Sequence, residues 1–244
     1  MPEPDRRPAY YAARSGRWRD WWTLLHPPYT AWHLSYVVIG ASLAPRVDGT
    51  RLVATLIAFF AAVGLSAHAL DELHGRPLGT HIPSAALVAV TVAGLTTAVV
   101  LGVAGVARVG LVLMPFIVAG PVLVVAYNAE LFGGIVHTDA GFAASWGAFP
   151  LITAYVAQAD GLGLAAVLGG VAAFALSYAQ RSLSKPARLL RRHVQGVHGS
   201  VVLADGTTRP LDETVLRAPL EQALRAMSWG LIALAAALAV ARLR

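Results

Sequence analysis

The chain has 244 residues, of which 57% are hydrophobic and 13% charged, and its formal net charge is +6. Soluble domains carry about 25% charged residues, so this composition excludes an ordinary soluble domain and predicts a polytopic membrane protein. The sequence contains no cysteine, which excludes disulfides, thiolate metal sites and thiol catalysis. Basic residues are concentrated in the N-terminal segment and one late polar segment. This distribution indicates membrane orientation, and no nucleic-acid partner is expected.

The N-terminal segment, residues 1–29, mixes arginines with tryptophans and tyrosines. Such a mixture suits the headgroup layer of a bilayer, so we expect an interfacial helix over Tyr10–Leu25 that Pro27-Pro28 ends. Residues 1–25 have no apolar core of the kind found in signal peptides, and a cleavable signal is not expected.

Seven apolar stretches follow, each a candidate to cross about 30 Å of hydrocarbon. The predicted fold is therefore an all-α polytopic membrane helix bundle of about seven transmembrane helices. Their predicted positions are 30–45, 51–70, 83–102, 107–127, 142–158, 161–180 and 224–241.

The late polar segment has a pattern of its own. "GSVVLADGTTRPLD" alternates apolar and polar residues around Asp205-Gly206, which predicts a two-residue β-hairpin turn, and Asp212-Glu213 begins a helical stretch. The chain thus divides into an interfacial segment (1–29), a six-span bundle (30–180), a basic segment with a hairpin (181–223) and a last span (224–244).

The positions of the arginines indicate which ends of the spans face the cytoplasm. Segments 1–29, 71–82, 128–141 and 181–223 carry the larger share of positive charge, which favours a cytoplasmic N-terminus. We therefore expect an integral protein of a bacterial plasma membrane, with the lipid bilayer as its partner. The sequence leaves the oligomeric state open.

Ionisable groups gather on the same predicted face in two clusters. One follows the second span (His68, Asp71, Glu72, His74, Arg76 and His81), and the other follows the fourth (Asn128, Glu130, His137 and Asp139). Polar groups at membrane depth are costly and mark candidate sites, so we expect both clusters to line one cytoplasm-facing cavity. Residues 68, 71 and 72 have i, i+3 and i+4 spacing, which predicts one helix face that ends at Gly75.

Two chemistries are compatible with these residue types. Carboxylates beside an arginine suit Mg²⁺ and a diphosphate, whereas carboxylates mixed with histidines suit iron or zinc. The candidate ligands of a divalent metal are His68, Asp71, Glu72, His74, Glu130, His137 and Asp139. Candidate catalytic residues are Asp71, Glu72 and Arg76, and candidate substrate-binding residues are Arg76, Asn128, Tyr127 and His33. For His33, a buried and hydrogen-bonded histidine is the simpler interpretation.

The layout resembles that of the UbiA superfamily of intramembrane prenyltransferases. The resemblance rests on "WWTLLHPPYTAWHLSYVVIGASLAP" at the first span, "AHALDELHGRPLGT" after the second and "YNAELFGGIVHTDAGFAASWGAFPLITAYVAQ" after the fourth. It implies Mg²⁺ and a prenyl diphosphate bound by acidic motifs, with Asp71, Glu72 and Arg76 at matching positions. Gln180, Arg181 and Ser182 stand where the family carries its second acidic motif.

The resulting expectation is a UbiA-like membrane enzyme that acts on an isoprenoid or another lipid and depends on a cation. A His/carboxylate metalloenzyme with iron or zinc, such as a lipid oxygenase, desaturase or hydrolase, is the alternative. A non-catalytic assembly subunit or a transporter is the second alternative.

Overall fold

A computed structural model describes residues 16–242, and this part of the chain folds into eight helices, a short 3₁₀ turn and one hairpin. The 3₁₀ turn is Leu131–Gly134, and the strands are β1 (Gly199–Val202) and β2 (Thr208–Leu211). The helices are α1 (Arg17–Leu24), α2 (Pro27–Leu43), α3 (Gly49–Leu73), α4 (Ser84–Val109), α5 (Leu111–Asn128), α6 (Asp139–Ala159), α7 (Leu164–His193) and α8 (Glu213–Arg242).

Six of these helices, α3 to α8, are long and apolar enough to cross a membrane, which confirms an integral membrane protein. Helix α2 has 17 residues, about 25 Å at 1.5 Å per residue, against a hydrocarbon core of about 30 Å. It nevertheless runs the length of the bundle: His26 at its start lies beside His68, and Arg242 donates to the carbonyl of Ser42 at its end. The count of seven spans stays a prediction.

The bundle has two ends, which we name by their residues. The polar end is where α2 begins, α3 ends and α7 leads into the hairpin. The Arg51 end is where α2 ends and α3 begins. The side chain of Asp48 caps α3 by accepting from the amide of Arg51 at 3.0 Å.

Helices α3 and α6 each contain a π-helical turn, at Phe60–Ala67 and Ala144–Ala148. Insertions of this kind widen a helix locally and are frequent at functional sites. Both turns lie inside their helices and contribute residues to the cavity described below.

Helix α2 lies at the centre and packs mainly on α6 and α8. Trp32 and Tyr36 of α2 form a core with Leu151, Ala173 and Leu231 from α6, α7 and α8. Small residues allow this close approach in lipid, where no hydrophobic effect drives helices together.

Helix α1 is the described part of the predicted interfacial helix, and residues 10–15 of that prediction lie outside the described chain. Trp18 and Trp22 are exposed, while Leu24 is buried against α3 and α4. Exposed tryptophans beside a buried face are typical of the headgroup layer.

The hairpin and the helices around it differ in detail from the prediction. Leu203 donates to the carbonyl of Thr207, so the turn contains Ala204, Asp205 and Gly206, one residue more than predicted. Residues 181–193 continue α7, and residues 213–223 already belong to α8. The basic segment is thus largely helical, because its polar residues extend amphipathic helices beyond the apolar spans.

Candidate functional site

A cavity of about 350 Å³ opens at the polar end of the bundle. We call it the cationic cavity. Its walls come from the start of α2, the second half of α3, the end of α5, the start of α6 and the inner faces of α7 and α8. Its polar or aromatic lining residues are His26, Tyr29, His33, His68, Asp71, Tyr127, Asn128, His137, Phe142, Trp146, Gln180, Arg181, Ser184, Arg188, Arg191, Arg192 and Glu221.

Four arginines of α7 line this cavity, against only two carboxylates, those of Asp71 and Glu221. The arginines are at 181, 188, 191 and 192, and intervals of seven (181 to 188), three (188 to 191) and four (188 to 192) place them on one side of the helix. An excess of guanidinium groups over carboxylates in a sheltered space attracts anions.

The arginines differ in their partners. Arg191 forms an ion pair with Glu221 at 2.5 Å, and Arg181 forms one with Asp139 at 3.3 Å while its guanidinium lies over the ring of Phe142. Arg188 makes no hydrogen bond or ion pair with another residue of the described chain. Arg188 is half-buried, and because its guanidinium makes no ion pair within the described chain, it is the group best placed to receive an anionic ligand.

Three histidines of the cavity are held in the same way. The Nδ1 atoms of His33, His68 and His137 lie 2.8, 3.2 and 3.0 Å from the backbone carbonyls of Trp146, Gly64 and Tyr127. A carbonyl accepts but cannot donate, so each Nδ1 carries a proton, and in the neutral form of such a ring Nε2 is the acceptor.

His26 precedes α2 and its ring centre lies 4.6 Å from that of His68. Burial lowers the pKa of the His26 imidazole well below its usual range, and the nearby His68, Arg192 and Arg188 lower it further. The His26 ring is therefore neutral at pH 7.

Two further polar groups belong to residues that line the cavity. The hydroxyl of Tyr127 and the side-chain carbonyl oxygen of Gln180 are buried and have no hydrogen-bond partner in the described chain. Tyr127 is stacked on His137 at 4.5 Å between ring centres. Unsatisfied buried polar atoms are uncommon in native proteins, and a ligand that hydrogen-bonds to them removes the cost.

The structure separates Glu72 from His68 and Asp71, in contrast to the predicted common face. Glu72 is fully buried and accepts three hydrogen bonds of 2.8–2.9 Å, from the amides of Leu78 and Thr80 and from the Thr80 hydroxyl. Its carboxylate holds the loop after α3, because the backbone amides of that loop need acceptors where water is excluded.

Arg76 and His74 also lie outside the cavity. Arg76 donates to the carbonyl of Ile82 at 2.6 Å and to the hydroxyl of Ser84 at 2.7 Å, so it closes the same loop. His74 is exposed at the end of α3, where Gly75 has the left-handed φ of 82° expected for a helix cap.

The second predicted cluster is divided in the same manner. Tyr127, Asn128 and His137 line the cavity, whereas Asp139 is held by Arg181 and Lys185 outside it, the latter at 2.9 Å. Glu130 is half exposed, 3.9 Å from the ring of His137.

Within residues 16–242, no three His, Asp or Glu side chains are grouped so that they could hold a metal ion. Of the seven predicted metal ligands, His68, Asp71 and His137 line the cavity. Glu72 is already used by the loop, and Asp139 is held by its two cationic partners. The described chain therefore brings only part of the predicted ligand set to the cavity, and the divalent metal stays a prediction.

Sequence reasoning missed the arginines, Gln180, Tyr29, His26 and Glu221 as cavity residues. The basic stretch was interpreted as a topology signal, although its arginines already have the spacing of one helix face. Glu221 carries no such signal, since only packing of α8 against α7 brings it to Arg191.

Comparison of the chain with protein-family models, with curated proteins and with solved structures finds no match.

Proposed function

We propose that the protein is an integral membrane enzyme that acts on an isoprenoid lipid and binds its phosphate or diphosphate head in the cationic cavity. The observation that carries the proposal is Arg188, a sheltered guanidinium without an ion-pair partner in the described chain, on a wall with three further arginines. One guanidinium group can donate two parallel hydrogen bonds to two oxygens of a phosphate. Such charge-assisted hydrogen bonds are stronger where water is excluded.

The location of the cavity favours a lipid over a soluble phosphate ester. Its walls are formed by membrane-crossing helices, and its inner wall includes Val63, Ala67 and Trp146. A molecule with its charged head among the arginines has its remaining part against these apolar groups, which suits a hydrocarbon chain.

The same residues support a prenyl transfer. The bond between C1 of the isoprenyl chain and the diphosphate breaks, and both electrons leave with the diphosphate oxygen, whose charge Arg188 and its neighbours stabilise. An acceptor substrate forms the new bond to C1, and its proton passes to Nε2 of His68, the unprotonated nitrogen of that ring.

Magnesium was expected to neutralise the diphosphate. Of the two carboxylates predicted to hold it, only Asp71 lines the cavity, and the Arg188 guanidinium, which has no ion-pair partner in the described chain, is available for the same charge. We therefore expect diphosphate binding to persist in a chelator.

The test is the binding of farnesyl diphosphate to the protein purified in detergent, with EDTA present. Replacing Arg188 with Gln removes a charge-assisted bond pair, so we expect affinity to fall at least about tenfold. Arg209→Gln on β2 is the matched control, since it removes the same charge from an exposed strand outside the cavity. Equal binding by wild type and the Arg188→Gln variant, or no binding by the wild type, would contradict the proposal.

One observation favours a second candidate, the metalloenzyme. Histidines that bind metals usually donate their second ring N–H to a carbonyl or carboxylate, as His33, His68 and His137 do here. Elemental analysis of the purified protein decides between the two. Near-stoichiometric iron or zinc that is lost in a His33→Ala/His68→Ala variant would replace the first proposal.

A further inference from the structure

A second cavity, of about 310 Å³, lies between α3, α4, α5 and α6. We call it the apolar groove. Between Arg51 and Val63 its wall follows α3, which rises about 18 Å over this stretch at about 1.5 Å per residue. Phe59, Phe116 and Phe149 line the groove together with many alanines and glycines.

Small residues keep this space open. Gly102, Gly105 and Gly120 all contribute to its wall, and a methyl group added at Gly120 would meet only the ring of Phe149, at 3.7 Å. The groove thus has room for an apolar chain at Gly120 that no side chain of the described protein fills.

The groove and the cationic cavity meet at one layer of side chains. Val63 and Trp146 line both spaces, and each belongs to one of the two π-helical turns. The two spaces therefore succeed each other along the bundle, charged at the polar end and apolar toward the Arg51 end.

The far end of the groove is closed by polar contacts. Arg51 forms an ion pair with Asp160 at 2.5 Å and donates to the carbonyl of Arg108 at 2.7 Å, which joins the start of α3 to the ends of α6 and α4. Three of the residues that line the groove at this point are Asp48, Arg51 and Arg108, which we call the Arg51 cluster. A hydrocarbon chain gains nothing by extending into such a cluster, because it would have to desolvate the charges.

We propose that the apolar groove holds the hydrocarbon tail of the lipid whose anionic head lies in the cationic cavity, and that the Arg51 cluster limits the length of that tail. This inference rests on the proposed function, since it takes the tail from the same molecule. It adds a specificity: the protein distinguishes isoprenoid phosphates by chain length, at a site far from the reacting carbon.

The first experiment compares ligands on the unaltered protein in detergent: inorganic diphosphate, then geranyl, farnesyl and geranylgeranyl diphosphate. We expect farnesyl diphosphate to bind at least about tenfold more tightly than inorganic diphosphate, because removing two CH₂ groups from water already corresponds to that factor. The gain should end between the farnesyl and geranylgeranyl chains, where the Arg51 cluster closes the groove. Affinity that is independent of chain length would overturn the inference. That result is the one expected if a bilayer lipid, and not the tail of the ligand, fills the groove.

The second experiment fills the groove. In a Gly120→Leu variant the added side chain occupies the space beside Phe149, so farnesyl diphosphate should bind about tenfold less tightly, as for an overfilled site. Binding of inorganic diphosphate should not change. Gly230→Leu is the control, because nothing lies within 4 Å of that position on α8. Equal effects on both ligands would overturn the tail site.

The two proposals fail in different ways. If neither inorganic nor farnesyl diphosphate binds the unaltered protein, the proposed function falls and the tail site falls with it. If farnesyl diphosphate binds and responds to Arg188→Gln but not to Gly120→Leu or to chain length, only the tail site is overturned.

Discussion

Some charged side chains at the polar end hold the backbone, and others line the cavity. Glu72 accepts from two amides of the loop after α3, and Asp20 accepts from the amide of His81 at 3.0 Å. Arg188 instead faces the cavity without an ion-pair partner in the described chain. A buried charge is tolerated only when its hydrogen-bonding capacity is met, which the loop does for Glu72. The half-buried guanidinium of Arg188 keeps its donors for a ligand.

The first prediction tests whether Glu72 stabilises the loop or binds the ligand. In a Glu72→Gln variant, the side-chain NH₂ group replaces one carboxylate oxygen that accepts from a loop N–H. Two hydrogen-bond donors then face each other in a buried space. We expect the variant to lose about 2 kcal/mol of stability, measured as a lower melting temperature in detergent.

Once folded, the Glu72→Gln variant should bind farnesyl diphosphate as tightly as the wild type, because Glu72 does not line the cavity. An unchanged melting temperature together with lost binding would restore Glu72 as a ligand-binding residue. Glu130→Gln is the control, since the Glu130 side chain is half exposed.

The spacing of His68, Asp71 and Glu72 was readable in the sequence, and two of the three lie where it predicts. The spacing gives no information on the loop that folds back over α3 and donates its backbone amides to Glu72. The identity of a hydrogen-bond partner six or eight residues away depends on the path of the backbone between them.

At the scale of the helices, the close contact between α2 and α6 decides how the bundle is assembled. A methyl group added at Gly40 would collide with the backbone carbonyl of Leu151. Backbone cannot move aside as a flexible side chain can, so only glycine is accommodated at this crossing.

The second prediction follows from this contact. Gly40→Ala should separate α2 from α6 and cost at least about 2 kcal/mol, as overfilled cores do. Thermal unfolding in detergent measures the loss, and Gly230→Ala is the control because its surroundings are open. If Gly40→Ala has the same melting temperature as the wild type, α2 and α6 do not touch at Gly40 and the prediction is wrong.

The helices themselves were largely predictable, since apolar stretches of about 20 residues have few alternatives in lipid. Their polar extensions were not: α7 continues to His193 although its apolar part ends near residue 180. The continuation places the arginine face of α7 beside α8, and that face forms the cavity wall.

At the scale of the whole molecule, the described chain separates charge along the axis of the bundle. The cationic cavity lies at the polar end, the apolar groove follows it, and the Arg51 cluster closes the other end. A molecule with one charged and one apolar part can occupy this sequence of environments in only one direction.

The third prediction concerns the number of spans and their orientation. Because the chain has no cysteine, single cysteines can be placed in α1 (Trp18→Cys), between α2 and α3 (Arg46→Cys) and in the hairpin (Ser200→Cys). All three positions are exposed. If α2 crosses the membrane, a membrane-impermeant maleimide should label Trp18→Cys and Arg46→Cys from opposite sides.

In intact cells we expect only Arg46→Cys to be labelled, because the arginine distribution favours a cytoplasmic N-terminus. Ser200→Cys should react only after the membrane is opened. Labelling of Trp18→Cys and Arg46→Cys from the same side would show that α2 does not cross and that the span count is six.

The sequence by itself determined that this is a membrane protein, where its apolar stretches lie, and that a hairpin precedes the last helix. Those properties depend on local composition and on the thickness of the bilayer. Only the tertiary structure decided which polar residues meet. Arg188 of α7, His68 of α3 and Tyr127 of α5 share one cavity because their helices pack side by side. Glu72 does not line it, because its carboxylate accepts hydrogen bonds from the loop that follows α3. Periodicity describes which face of a helix a residue occupies, but the neighbour of that face is fixed by packing between segments distant in the chain.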